Sequence, residues 1–260
     1  MAVNPNVGKS SIFNELTGLK QHTRNWPGKT VISAWGKYNH KDNTVILVDL
    51  SGTYSLNAHS KEEEVARDFI CFGGTDKTLV VCDATSLERN MNLVLQTLEI
   101  TDNVIVCLNL MDEARKRNIE IDIKKISEKL GVIVIPTSTR TKEGLVKLKD
   151  TLNKEVRYEN TLKIKYNENI EKAINILKPT IEKRIKNKIS SRFIALKLIS
   201  DDKLMLNCLN EFLDFNLLED KKIKNKLKEV KKYLVSKNYT KEKINDSIVL
   251  TIKSFIFSLV

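Results

Sequence analysis

The chain has 260 residues, 41% of them hydrophobic and 30% charged, and a formal net charge of +11 at pH 7. That length supports one large domain or two small ones with an ample core, and the composition fits a soluble globular protein. No charged segment followed by an apolar run opens the chain, so no secretory signal is read. The four cysteines (Cys71, Cys82, Cys107, Cys208) stand apart with no C-x-x-C pair, which favours reduced thiols in a cytosolic setting. His22, His40 and His59 form no metal-ligand spacing. The charge is uneven: residues 1–150 carry 20 Lys and Arg against 19 Asp and Glu, whereas residues 151–260 carry 24 against 14. The last of nine glycines is Gly144, so composition changes where charge does, and a domain boundary is expected at 150/151.

The first motif is "NPNVGKSS". Gly8, Lys9 and Ser10 fill the second half of G-x-x-x-x-G-K-[ST], while Val3 stands where the first glycine belongs. In such a loop, backbone N–H groups from Val7 to Ser11 cradle phosphate oxygens and Lys9 reaches the β- and γ-phosphates. Ser10 ligates Mg²⁺, and the helix "SIFNELTG" turns its positive end to the anion. Next, "TVILVDL" (44–50) reads as a buried strand and leads into "DLSG", a D-x-x-G pattern. There Asp49 would hold Mg²⁺ through water and the Gly52 N–H would meet the γ-phosphate. Helical spacing in "EEEVARDFICF" precedes a second strand, "KTLVVCDA" (77–84), and "NMNLVLQTLEI" gives another helix. The strand "NVIVCLNL" (103–110) ends in N-x-x-D. The Asp112 carboxylate can accept both N1–H and N2–H₂ of guanine, a pairing adenine cannot supply, with Asn109 tying that loop to the phosphate loop. "DIKKISEKLG" closes on Gly131, a natural C-cap, and "VIVIPTS" (132–138) brings Ser138, Thr139 and Arg140 to a strand end, against the base. Strands alternating with helices predict a doubly wound, mostly parallel α/β sheet of the P-loop GTPase type, with ligands at the carboxyl ends of the strands.

After about residue 150 only helical patterns follow, in "NENIEKAINILKPTIEKRI", "SRFIALKLI", "LMLNCLNEFLDF" and "KNKLKEVKKYLV", so a small all-helical domain is expected. Pro179 is expected to kink or divide the first. The closing "SIVLTIKSFIFSLV" is too short to span a bilayer and reads as a packed core helix. The basic excess of residues 151–260 reads as a solvated helix face or one near anionic lipid heads.

Taken together, "NPNVGKSSIFNELTG", "NWPGKTV", "DLSGTYSL", "VARDFI", "VVCDATSLERNMNLVLQTLE" and "LNLMDEARKRNIEIDIKKISEKLGV" resemble the cytoplasmic GTPase domain of the ferrous iron transporter FeoB family. "SRFIALKLIS" resembles the guanine-nucleotide-dissociation-inhibitor-like helical domain that follows it. The resemblance implies that Thr30, after Gly28 in "NWPGK", is the switch threonine closing on Mg²⁺ and the γ-phosphate. It also implies that Asn6 helps hold K⁺ beside the phosphates, with backbone near Trp26. Catalysis would rest on Lys9, Thr30 and Gly52. Thr53 stands where many small GTPases place a water-orienting Gln, so slow hydrolysis and a switch of residues 23–32 and 51–60 are expected.

Four departures from the family bear on function. Val3 replaces a glycine, Ser51 a proline, the first strand is nearly absent, and the membrane portion that would conduct iron is missing. The expectation is a GTP/GDP-binding regulatory piece of an iron transporter, at the inner face of the cell membrane in the full protein, partnered by the iron-permease portion and in some form self-associating. With Val3 and the short first strand, nucleotide binding is expected to survive weakly or not at all. The alternatives are a degenerate, non-catalytic interaction module and a basic RNA-associated GTPase. The last is disfavoured because no glycine after Gly144 remains for a KH-type loop or a glycine-bearing RNA-recognition signature.

Overall fold

Runs rich in Val and Ile, buried on both faces, form the centre of the first half of the chain. The computed structural model describes residues 1–3, 7–18, 22–25, 32–41, 43–52, 60–154, 162–185 and 189–259. Four parallel strands, β1 (Ala2–Val3), β5 (Thr78–Asp83), β6 (Val104–Asn109) and β7 (Ile133–Pro136), lie in the order β1-β5-β6-β7. All of β6 and the first five residues of β5 are buried, as expected of strands covered on both faces by helices. The residues are in register as Ala2↔Val80, Val81↔Cys107 and Cys107↔Ile135. β1 is only two residues long, yet it pairs in register with β5.

A second, antiparallel sheet is made by β2 (His22–Asn25), β3 (Ile32–His40) and β4 (Asn43–Asp49) in that order. This corrects the reading of 44–50 as a buried strand of the parallel sheet: β4 pairs antiparallel with β3 along seven residue pairs from Ala34↔Asp49 to His40↔Asn43. Only Leu47 of β4 is fully buried, and Ile46 is 65% exposed. The apolar run was legible, but its half-exposed alternation belongs to an antiparallel strand with one wet face. The sheets meet at Met1, whose nitrogen donates to the Val48 carbonyl at 2.6 Å and whose carbonyl accepts from the Leu50 N–H at 3.2 Å.

Helices cover both faces of the parallel sheet. Leu79, Val81, Ile105, Cys107 and Ile135 point to one face. There they share a core with Ile12, Phe13 and Leu16 of α1 (Lys9–Thr17) and Leu145, Leu148 and Leu152 of α6 (Leu145–Asn153). Val80, Cys82, Val106 and Leu108 alternate with these, by the period of two along a strand, toward the other face. α3 (Leu87–Leu98) and α5 (Ile123–Leu130) pack against the strands β5 to β7. Each such fully buried apolar side chain contributes about 1.5–3 kcal/mol. Gly131 ends α5 in the left-handed region, φ 65°, with its N–H on the Ser127 carbonyl, the C-cap read from the sequence. α2 (Lys61–Phe72) starts on Ser60, whose hydroxyl accepts from the Glu63 N–H, and α4 (Met111–Lys116) follows β6.

The chain divides into two units, residues 1–162 with 256–260 and residues 163–255. The second has its own core and is all-helical: α7 (Glu168–Ile185), α8 (Ser191–Ser200), α9 (Lys203–Leu213), α10 (Lys221–Ser236) and most of α11 (Lys241–Leu259). Ser190, Asp202 and Asp220 cap α8, α9 and α10 by accepting from backbone N–H groups, each such cap being worth about 1 kcal/mol. α7 runs through Pro179 undivided. The proline leaves the Asn175 carbonyl without its helical donor, and Asn175 is exposed. α11 is a core helix on one side only. Ile244, Ile256 and Leu259 are buried, but Leu250 and Phe257 are 62% and 66% exposed. Among the described residues no helix is long and apolar enough to cross a membrane.

Candidate functional site

The site is built from the carboxyl ends of β1, β4, β6 and β7. Gly8 caps α1 at φ 79°, a conformation disfavoured for residues with a Cβ. A Cβ at Gly8 would lie 2.4 Å from Nδ2 of Asn109, so glycine is required there for a second reason. Asn109, fully buried at the end of β6, passes against Gly8 and donates through Nδ2 to the Val7 carbonyl at 3.0 Å. That bond crosses 102 residues of sequence and clamps the G-K-S loop to the N-x-x-D loop.

Lys9 is the first residue of α1. Its Nζ donates to the Leu50 carbonyl at 2.7 Å and lies 3.4 Å from Oδ2 of Asp49, the last residue of β4. Burial pushes the Asp49 carboxyl up, and the Lys9 ammonium opposes that shift. Oδ1 of Asp49 is buried and makes no hydrogen bond. A buried carboxylate oxygen without a donor is costly, and its chemistry suits a cation or a cation's water. Ser10 and Ser11 are exposed on the first turn of α1, and Gly52 is half-buried beyond Asp49. Among the described residues no three His, Cys, Asp or Glu side chains form a metal cluster.

At the next strand ends, Leu110 adopts φ 63° and turns the chain from β6 into α4, putting Asp112 in its first turn. Its carboxylate is nearly buried, and Oδ2 pairs with Nη2 of Arg140 at 2.7 Å. Burial would raise the Asp112 carboxyl, but the Ser138 hydroxyl and then the Arg140 charge outweigh it and hold it below the usual range. Arg140 also reaches Glu113 at 3.6 Å. The loop carrying Ser138, Thr139 and Arg140 closes through the Ser138–Glu143 bridge and the Arg115–Glu143 ion pair, the latter also pulling the Glu143 carboxyl down.

Lys9, Asp49, Val7, Gly8, Asn109, Asp112, Ser138 and Arg140 are thus joined by contacts along these strand ends, with Ser10, Ser11, Gly52 and Thr139 on the same segments. Asn6, Gly28, Thr30, Thr53 and Trp26 lie outside the described residues, and so does much of 23–32 and 51–60. Sequence reasoning missed Thr137. Fully buried, it donates from Oγ1 toward Asn109 Oδ1 at 3.3 Å and accepts the Met111 N–H on its carbonyl at 3.2 Å, fixing Asn109 and the residue before Asp112. It also missed Glu143, whose bidentate hold on Arg115 closes the loop. Only the polar run "PTSTR" at a strand end hinted at the first, and nothing local marked the second.

A parallel sheet flanked by helices, with a G-K-S helix start clamped to an N-x-x-D loop, defines a P-loop G domain, here followed by a helical domain. The family described as "Ferrous iron transport protein B" matches residues 1–152, and that described as "FeoB cytosolic helical domain" matches residues 166–260. The chain belongs to the FeoB family, as its N-terminal G domain and cytosolic helical domain. It is 38% identical over 201 residues to the Fe(2+) transporter FeoB of Helicobacter pylori J99, covering 76% of this chain and 30% of that protein. With the Fe(2+) transporter FeoB of Staphylococcus aureus MSSA476 it shares 37% over 209 residues, 80% of this chain and 31% of that one. The chain therefore spans about three-tenths of the length of these relatives. Among solved structures, an S. thermophilus NFeoB mutant bound to GDP matches with TM-score 0.81 and 30% identity, over 99% of this chain and 96% of that one. The cytosolic domain of T. maritima FeoB in a GDP form matches with TM-score 0.71 and 33% identity, over 90% and 97%.

Proposed function

We propose that this chain binds GTP and GDP and hydrolyses GTP slowly, as the regulatory part of a ferrous iron transporter whose membrane portion lies outside these residues. The observation that supports this most is the Asn109–Val7 bond, which ties the phosphate loop to the loop that carries Asp112. Discrimination for guanine rests on Asp112, which can accept two N–H donors that adenine does not offer together. Lys9 reaches the β- and γ-phosphates after leaving the Leu50 carbonyl. The N–H groups from Val7 to Ser11 line the phosphates at the positive end of α1, and Gly52 meets the γ-phosphate.

Ser10 would hold Mg²⁺ directly and Asp49 through a water, for which the undonated Asp49 Oδ1 is a fitting acceptor, with Thr30 joining in the GTP state. The ion supplies charge neutralisation on the phosphates. A K⁺ ion beside Asn6 is the second candidate cofactor. Thr53 has no carboxamide to orient water, so turnover is slow and the GTP state is long-lived enough to act as a switch on the membrane part.

The test is a titration of the purified chain with fluorescent GDP and ADP analogues in Mg²⁺, with K⁺ or Na⁺, followed by phosphate release from GTP. Saturable, GDP-selective binding with slow turnover is expected. A folded chain that binds neither nucleotide would overturn the reading and leave a non-catalytic interaction module in its place.

A further inference from the structure

The basic excess of residues 151–260 lies outside the segments that carry the nucleotide-binding motifs, and α10 shows where much of it goes. The helix buries Ile223, Leu227, Val230 and Leu234. At about 100° per residue, Lys221, Lys224, Lys228, Lys231 and Lys232 fall within an arc of roughly 100° that avoids this buried stripe. All five are exposed, and the arc runs about 16 Å along the axis at about 1.5 Å per residue. Val235 continues it, 69% exposed. The one acid of α10, Glu229, lies outside the arc and is taken by Lys226 at 2.7 Å. Asp201, which faces Lys231, is held by Lys241 at 2.8 Å and also faces Lys203, so ammonium groups outnumber it.

We propose that this lysine face of α10 docks on the anionic headgroups of a lipid bilayer, with Val235 entering the interface, as a binding surface separate from the nucleotide site. Charge complementarity selects the partner. Clusters of four to eight basic residues on one helix are drawn to anionic leaflets. Nucleic acid fits less well, because α10 has no arginine for bidentate phosphate or base contacts. Its only aromatic side chain is also unavailable for base stacking: the Tyr233 hydroxyl donates to Asn169 at 2.7 Å and Lys172 covers its ring.

The experiment is co-sedimentation of the whole chain with phosphatidylcholine vesicles, with and without phosphatidylglycerol, across a salt series. Three proteins are compared: wild type, the Lys→Gln variant at 221, 224, 228, 231 and 232, and a Lys→Gln variant of equal charge at the exposed positions 124, 178, 183, 243 and 253. The wild type should sediment only with phosphatidylglycerol vesicles and be released by salt. The α10 variant should lose at least about tenfold in partitioning, given the gain each lysine makes near an anionic surface, while the control variant keeps most of it. Equal loss in both variants would reduce the effect to net charge and overturn the proposal, as would no binding by wild type. Preferential retention of structured RNA through the same lysines would overturn it too. If the fivefold variant loses its helical circular dichroism, K228E with K231E decides by the same criterion.

Discussion

At the residue scale, the Arg140–Asp112 pair sets the site's resting state. The guanidinium occupies a carboxylate oxygen that the proposed guanine reading would use, so under that proposal base recognition and the ion pair compete. Arg140 is 59% exposed, and a pair that open contributes at most about 1 kcal/mol. R140A is therefore expected to tighten GDP binding by up to about fivefold, with no change for ADP, in side-by-side titrations. Weaker GDP binding in R140A would mean that the arginine contacts the nucleotide. D112N replaces an acceptor by a donor–acceptor pair and is expected to weaken GDP binding by about 10- to 150-fold, the range of a hydrogen bond to a charged group. The motifs G-K-S, D-x-x-G and N-x-x-D were legible because each fixes a chemical role by spacing. The Arg140 pairing was not, since it depends on how the 138–143 loop folds over α4. Gly8 shows the same division: its place in the motif is readable, but that its missing Cβ makes room for Asn109 Nδ2 is known only from the packed chain. G8A combines a left-handed φ with that clash and should cost about 1–3 kcal/mol, lowering the melting temperature by roughly 2–12 °C at about 2–4 °C per kcal/mol for a chain of this size. A GDP affinity left untouched by G8A would show that the Asn109 clamp is dispensable.

At the scale of elements, the buried strands β5, β6 and β7 were readable because a strand covered on both faces is a continuous apolar run. β2 and β3 were not, since neither "HTRN" nor "ISAWGKYNH" is a continuous apolar run, and β4 was placed in the wrong sheet because pairing partners leave no local mark. The β3–β4 turn is held by a clasp that no motif announces: His40 Nε2 and Lys41 Nζ both meet Asp150 Oδ1 of α6, at 2.9 and 2.7 Å. The Lys41 and then the His40 hydrogen bond pull the Asp150 carboxyl down to about 2. A carboxyl depressed in the folded state stabilises the fold above its unfolded value near 3.9 and loses that contribution as pH falls toward the folded value. Wild type should accordingly melt above D150N at neutral pH, with the gap shrinking between about pH 4 and pH 2. Melting curves of the two proteins across that range check it, and a gap independent of pH would mean that the clasp acts through packing alone.

At the scale of the whole chain, two separate cores predict two separable melting events. Residues 163–255 enclose their own buried set, including Ile174, Leu177, Ile194, Leu209 and Val230, each 0% exposed. A ligand that binds only the folded G domain stabilises that unit by mass action. Scanning calorimetry should then show GDP raising the midpoint of one transition and leaving the other in place. I174A, which empties a fully buried position of α7, should cost about 2–5 kcal/mol, and the loss should fall on the transition that GDP leaves alone. If instead GDP and I174A both moved a single cooperative transition, the helical part and the G domain would fold as one body.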